Sequence, residues 1–171
     1  GMQPVPISVN MSRTHIYNPL FAQELHSIVE KYHIPMNLIE IELTETMNLE
    51  NISSLLNAVR SLKEYRFILS IDDFGTGYSS LNLLKNLPVD ILKLDREFFS
   101  QAADEQRGRE VIASIIDMEK RLDMKTVAEG VELQEQAEFL SSVNCDFVQG
   151  YYFSKPITIS NFESNYIHKL K

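Results

Sequence analysis

The sequence is poor in the residues that build unusual proteins. Its 171 residues include one cysteine, no tryptophan, six glycines and six prolines. A lone Cys145 cannot close an internal disulfide, which points to a reducing compartment. So little glycine and proline excludes a collagen-like or low-complexity chain. No apolar run approaches the ~20 residues of a membrane span, and no signal peptide is recognised at the start. Gly1-Met2 reads as an expression remnant before a start methionine. Basic residues are also in deficit: 16 Lys and Arg stand against 24 Asp and Glu, a net charge of −8. That argues against a binder of nucleic-acid polymers, which needs a basic stripe. It permits a small anionic substrate where metal ions neutralise the charge locally.

What is present is ordinary for a globular protein. Hydrophobic residues at 44% and charged residues at 23% exclude disorder and a coiled coil. The length suits one domain but falls short of the ~250 residues of a complete β/α barrel. Short β-rich runs alternate with amphipathic stretches. The runs are Pro6–Val9, Leu38–Ile41, Phe67–Ile71, Val89–Asp95, Lys125–Ala128 and Asp146–Val148. Between them lie apolar residues at helical spacing: Phe21, Leu25, Ile28, Val29 and Tyr32, then Ile52, Leu55, Leu56, Val59 and Leu62. Val111, Ile112, Ile115, Ile116 and Leu122 form another such stripe, and Leu133, Ala137 and Leu140 a shorter one. Ser79 to Lys85 and the region of Phe162, Tyr166, Ile167 and Leu170 complete the set, and Asn18-Pro19 reads as a helix cap and first turn. Six strands, each followed by a helix, predict a parallel sheet covered by helices.

The informative feature is where each run stops. The runs end at Asn10, Glu42, Asp72-Asp73, Lys93, Glu129 and Gln149. In parallel β/α folds the C-terminal strand ends carry the active site. Glu42, Asp72, Asp73 and Glu129 are hard oxygen ligands, and Asn10 adds a neutral carbonyl, a set suited to magnesium, manganese or calcium. Four carboxylates at one mouth repel unless cations sit between them. A carboxylate-bridged metal pair would clamp an in-line displacement at phosphorus. Lys93 among acids could hold an attacking water or offset phosphate charge. Singly, each residue has an ordinary reading as a cap, turn or surface charge; six strand ends of matching chemistry do not.

Other chemistries find no support. Asp73-Phe74-Gly75-Thr76-Gly77-Tyr78-Ser79-Ser80 is too short for a dinucleotide fingerprint and lacks the Gly-Lys-Ser/Thr of a P-loop. It reads as a mobile loop that could gate the site or meet a partner. No Gly-x-Ser-x-Gly elbow occurs, and His15, His26, His33 and His168 show no ligand spacing. Cys145 reads as a small core residue.

Ser8-Val9-Asn10-Met11-Ser12, Ile41-Glu42-Leu43-Thr44-Glu45, IDDFGTGYSSL, ILKLD, TVAEGVE and FVQGYYFSKP closely resemble the motifs of the EAL-domain cyclic-di-GMP phosphodiesterases, from about residue 6 to about residue 157. The resemblance implies a TIM-type β/α barrel that hydrolyses cyclic di-GMP to linear pGpG with two magnesium or manganese ions in bacterial signalling. By position, Asn10, Glu42 and Asp72 resemble the ligands of one metal, and Asp72, Asp73 and Glu129 those of the second. Lys93 resembles the lysine that positions the nucleophilic water, and Glu45 the glutamate that anchors the glycine loop. Glu132 and Gln149 match positions that support the substrate and the metal-bound water. Phe74, Gly75, Thr76, Gly77, Tyr78 and Ser79 resemble a segment coupling dimer contacts to metal binding.

The departure is that this chain contains no Glu-Ala-Leu. It begins where the family's third strand would lie. The expectation is therefore one partial domain over residues 2–171, an incomplete barrel of six βα units matching strands 3–8. One metal ligand and part of the substrate site would be missing, so metal occupancy would suffer and the chain alone would be inactive or very weak. Open strand edges would promote a homo-oligomer, through those edges or the glycine loop. A cytoplasmic location is expected. The alternatives are a non-catalytic module binding cyclic di-GMP or a protein, and a gene fragment with no role.

Overall fold

The computed structural model describes residues 4–44, 52–75, 80–97 and 106–167. Six strands form one sheet: β1 (Ile7–Asn10), β2 (Ile39–Thr44), β3 (Ile68–Phe74), β4 (Ile91–Leu94), β5 (Lys125–Ala128) and β6 (Phe147–Val148). Each pairs in parallel with the next, so spatial order equals chain order. Parallel neighbours need a crossover. Helices supply it: α1 (Phe21–Lys31), α2 (Ile52–Glu64), α3 (Ser80–Asn86), α4 (Gln106–Arg121) and α5 (Gln134–Ser142). A short α6 (Ile159–Phe162) follows β6 and runs into a π turn over Glu163–Ile167. The sheet curls into an incomplete TIM-type barrel. Among the described residues, nothing pairs with the outer edges of β1 and β6.

Strand alternation builds the core. Ile41, Leu43, Leu69, Ile71, Leu92 and Leu94 point to the helix layer and are buried. They pack with Val29 of α1, Leu55, Val59 and Leu62 of α2, Ile112 and Ile116 of α4 and Leu140 of α5. The edges contrast sharply. Every residue of β1 is exposed, with Ile7 at 62%, and Phe147 of β6 is 51% exposed. Among the described residues, no helix is long and apolar enough to cross a membrane.

Four helices end alike. His33, Arg66, Asp123 and Asn144 each sit at positive φ just past a helix. The next N–H reaches back five residues: Ile34 to Val29, Phe67 to Leu62, Met124 to Glu119 and Cys145 to Leu140. These are Schellman closures, which usually place glycine at the left-handed position. Here His33, Arg66, Asp123 and Asn144 occupy it instead.

Some expectations need correction. Asn18 does not cap α1. The helix starts at Phe21 with Leu20 at the cap, while the Asn18 side chain accepts the Leu20 N–H at 3.0 Å. An Asx-type turn thus precedes the helix. Several residues of the expected stripes face solvent: Ile28, Tyr32, Val111, Leu122 and Leu133. In α4 the buried line is instead Ile112, Ile116 and Glu119. Leu170 lies outside the described residues.

Candidate active site

The register assembles a single polar face. Paired residues on parallel strands point the same way, and side chains alternate along each strand. Asn10 pairs with Glu42, Thr44 with Asp72, and Lys93 with Val127. Two residues beyond Val127 comes Glu129, and two beyond Phe147 comes Gln149. The same alternation that buries Ile41, Ile71 and Leu92 outward turns Asn10, Glu42, Asp72, Lys93, Glu129 and Gln149 inward, at the C-terminal ends of all six strands.

Lys93 is the hub. Its ammonium lies 2.6 Å from Glu42 Oε1, 2.6 Å from Glu129 Oε1 and 3.4 Å from Asp72 Oδ1. Three carboxylates from three strand ends therefore share one buried cation. Burial pushes the Lys93 pKa down, but the contacts to Glu129 and Glu42 outweigh it and hold the ammonium above the usual lysine range. Burial raises the Glu129 carboxyl, with Lys93 opposing. Burial likewise raises Asp73, and the Asp72 and Asp95 carboxylates add to the effect.

A β-bulge delivers Asp73. Ile71 pairs with Leu92 and Phe74 with Leu94, so β3 spends one more residue than β4 over this stretch. Asp73 takes the strain at φ +57°, and its N–H donates to Asp72 Oδ1 at 3.0 Å. Without the bulge, alternation would drive Asp73 into the helix layer. Bulges of this kind re-aim side chains beside active sites. The bulge also returns Phe74 to the core as the last residue of β3, buried rather than part of a loop. Gly75 follows at φ +101°. Glu45, Thr76, Gly77, Tyr78 and Ser79 lie outside the described residues.

Gln149 is fixed by its backbone: its N–H donates to Ala128 O at 2.8 Å and its carbonyl accepts the Val131 N–H at 3.0 Å. Glycine is required next, because a Cβ on Gly150 would lie 2.1 Å from the Val131 carbonyl oxygen. Glu132 pairs with Arg96 at 2.7 Å, across the loops that follow β5 and β4. Arg96 did not stand out in the sequence; the signal is a cation directly after ILKLD, facing the loop of a second acidic strand end. His15 stacks on Phe21, and the His26 ring lies tilted against Tyr65. Burial pushes the Cys145 thiol up to about 11, consistent with an unreactive packing residue.

The donors suit a hard divalent cation. Among the described residues, no three Asp, Glu, His or Cys side chains enclose an ion-sized point on their own. They converge instead on the Lys93 ammonium, which shows that this position holds a positive charge. One ammonium leaves the three carboxylates in surplus negative charge, with Asp73 beside Asp72 and the Asn10 position in register with Glu42. All-oxygen donors of this kind fit magnesium or manganese.

An open parallel β/α arc with an acidic, lysine-centred cluster at its C-terminal rim is the arrangement of a β/α-barrel domain with its polar site at the strand ends. The chain belongs to the EAL domain family, whose model matches residues 2–156. It is 37% identical over 163 residues to the cyclic di-GMP phosphodiesterase NbdA of Pseudomonas aeruginosa, covering 95% of this chain and 21% of that protein. It thus spans about a fifth of that relative's length. The EAL domain of Mycobacterium smegmatis DcpA superposes with a TM-score of 0.89 at 30% identity, over 96% of this chain and 73% of that one. A manganese and cyclic di-GMP complex of Klebsiella pneumoniae BlrP1 gives a TM-score of 0.82 at 28% identity, over 88% and 39% respectively.

Proposed function

We propose that this site hydrolyses cyclic di-GMP to linear pGpG. The carrying observation is the convergence of Glu42, Asp72 and Glu129 from three strand ends on Lys93. Asn10, Glu42, Asp72, Asp73 and Glu129 would hold two magnesium or manganese ions, which supply charge neutralisation at phosphate and a more acidic water. Lys93 keeps the carboxylates together against their repulsion. Its ammonium, held by Glu42 and Glu129 at 2.6 Å and by Asp72 at 3.4 Å, would orient the attacking water among these carboxylates. Glu129 and Gln149 flank that water, while Glu132 and Glu45 support the substrate and the glycine loop. Water attacks phosphorus in line. Its hydroxyl stays on phosphorus, the opposite ester bond breaks, and its proton ends on the released ribose oxygen.

Among the described residues the β1 and β6 edges are unpaired and leave this rim open, so the chain alone is inactive or very weak and associates through those edges. A cytoplasmic, soluble setting fits the acidic charge. Residues 2–171 form one partial domain. The test is a single-turnover assay with the chain in excess over cyclic di-GMP and manganese, read as pGpG by chromatography. Slow manganese-dependent pGpG, lost in Lys93→Met, is expected. Rapid multiple turnover would overturn the weak-alone reading. Tight binding without pGpG would favour a binding module, which the open edges also suit. Neither binding nor product would overturn the proposal. A monodisperse monomer in light scattering would overturn the association.

A further inference from the structure

We propose that Arg96 is a positioning residue that contacts the anionic phosphodiester of the nucleotide at this rim; the inference rests on the nucleotide reading above. Arg96 lies just beyond β4, three residues after Lys93. Its stem presses against Gly130, the residue after Glu129: a Cβ there would lie 2.5 Å from Arg96 Cβ and 2.9 Å from its Cγ. Gly130 also sits at φ +67°, so both backbone shape and space exclude a larger residue. Glu132 holds Nη1 at 2.7 Å, yet the Arg96 side chain stays 59% exposed. The guanidinium is thus steered from two sides and remains open to solvent. It carries five N–H donors, and one contact through Nη1 leaves most of them for another partner.

A purely structural role explains this poorly, because a half-exposed ion pair contributes little to stability. The charge pattern explains it better. Glu42, Asp72, Asp73 and Glu129 repel a phosphodiester, and Lys93 is already committed to three of them. A planar guanidinium held by Glu132, with its stem over Gly130 next to Glu129, offers a phosphate two parallel donors. Glu132 then supports the substrate by aiming Arg96 at it.

The test is calorimetric titration of the chain with a non-hydrolysable phosphorothioate analogue of cyclic di-GMP in manganese, at several salt concentrations. R96M keeps the stem over Gly130 and removes the charge. It is expected to weaken binding roughly tenfold and flatten its salt dependence, with manganese affinity and melting temperature unchanged. R96K should recover part of the loss. Should R96M fail to fold, R96Q carries the same comparison. Equal affinity and salt dependence in wild type and R96M would overturn the inference while leaving the nucleotide reading intact. A wild-type chain that binds no analogue would overturn the nucleotide reading, and this inference with it.

Discussion

Glu119 offers the sharpest test of the energetics. It lies on the apolar face of α4, fully buried, with Oε2 accepting from the Thr126 hydroxyl and Oε1 without a hydrogen-bond partner among the described residues. Burial pushes its carboxyl up to about 8 from the model-peptide 4.5; Thr126 pulls it down, Asp146 raises it further and Lys120 opposes. The folded protein therefore keeps Glu119 protonated at neutral pH, whereas the unfolded chain ionises it. The sign follows from proton linkage. Between about pH 4.5 and 8 the folded state holds the extra proton, so stability is full below this window and falls as pH rises through it. At about 1.4 kcal/mol per unit, the loss accumulates to at most roughly 5 kcal/mol by pH 8. Glu119→Gln keeps the shape and removes the titration. Urea unfolding from pH 4.5 to 9 should show the variant gaining on wild type by about 1.4 kcal/mol per unit, reaching a plateau above pH 8. Asp73 and Glu129 are raised in the same direction, so the difference between the two proteins is the informative quantity. Parallel curves for wild type and variant would refute the reasoning.

Further outcomes follow from the site and its supports. Lys93→Met strands Glu42, Asp72 and Glu129 without their shared cation and should cost ~3–5 kcal/mol in urea unfolding; a loss below about 1 would contradict a buried hub. Manganese at a hundred times its Kd should stabilise the chain by ~2.7 kcal/mol, read as a rise in melting temperature, and Asp72→Asn should abolish most of it. No shift in the wild type would remove the case for a cation site. Gly150→Ala forces a Cβ to within 2.3 Å of both the Val131 nitrogen and carbonyl oxygen, so soluble folded protein should be lost or destabilised by more than ~3 kcal/mol. A normally folded Gly150→Ala variant would show that this approach is not required.

The strand ends were the most legible part of the molecule. Alternation in Ile39–Thr44 and the polar stops at Asn10, Asp72, Glu129 and Gln149 place all six polar ends on one face. Tertiary effects account for what escaped. A run Ile71-Asp72-Asp73-Phe74 violates alternation, and only pairing with β4 shows that a bulge resolves it. Lys93 reads locally as a charge among acids; its three partners come from β2, β3 and the end of β5, up to 51 residues away. Glu119 sits at helical spacing from Ile112 and Ile116, an acid that extends an apolar stripe whose sequence pattern runs on to Leu122, which faces solvent. Asn18 had the right chemistry for a cap but spends its oxygen one turn early.

The left-handed residues at the helix ends carry a consequence for how this chain could be improved. His33, Arg66, Asp123 and Asn144 all lie where a helix hands over to the start of the next strand, the end of the barrel remote from the acidic rim. His33 and Arg66 hold side chains in a backbone shape that disfavours them by about 1 kcal/mol or more, whereas Asp123 and Asn144 are types that tolerate it. These four therefore lie at the pole opposite the acidic rim, where Asp73 is, among the described residues, the one non-glycine at positive φ. The chain keeps a reserve of robustness at its base that glycine substitutions would release while every group at the acidic rim stays as it is.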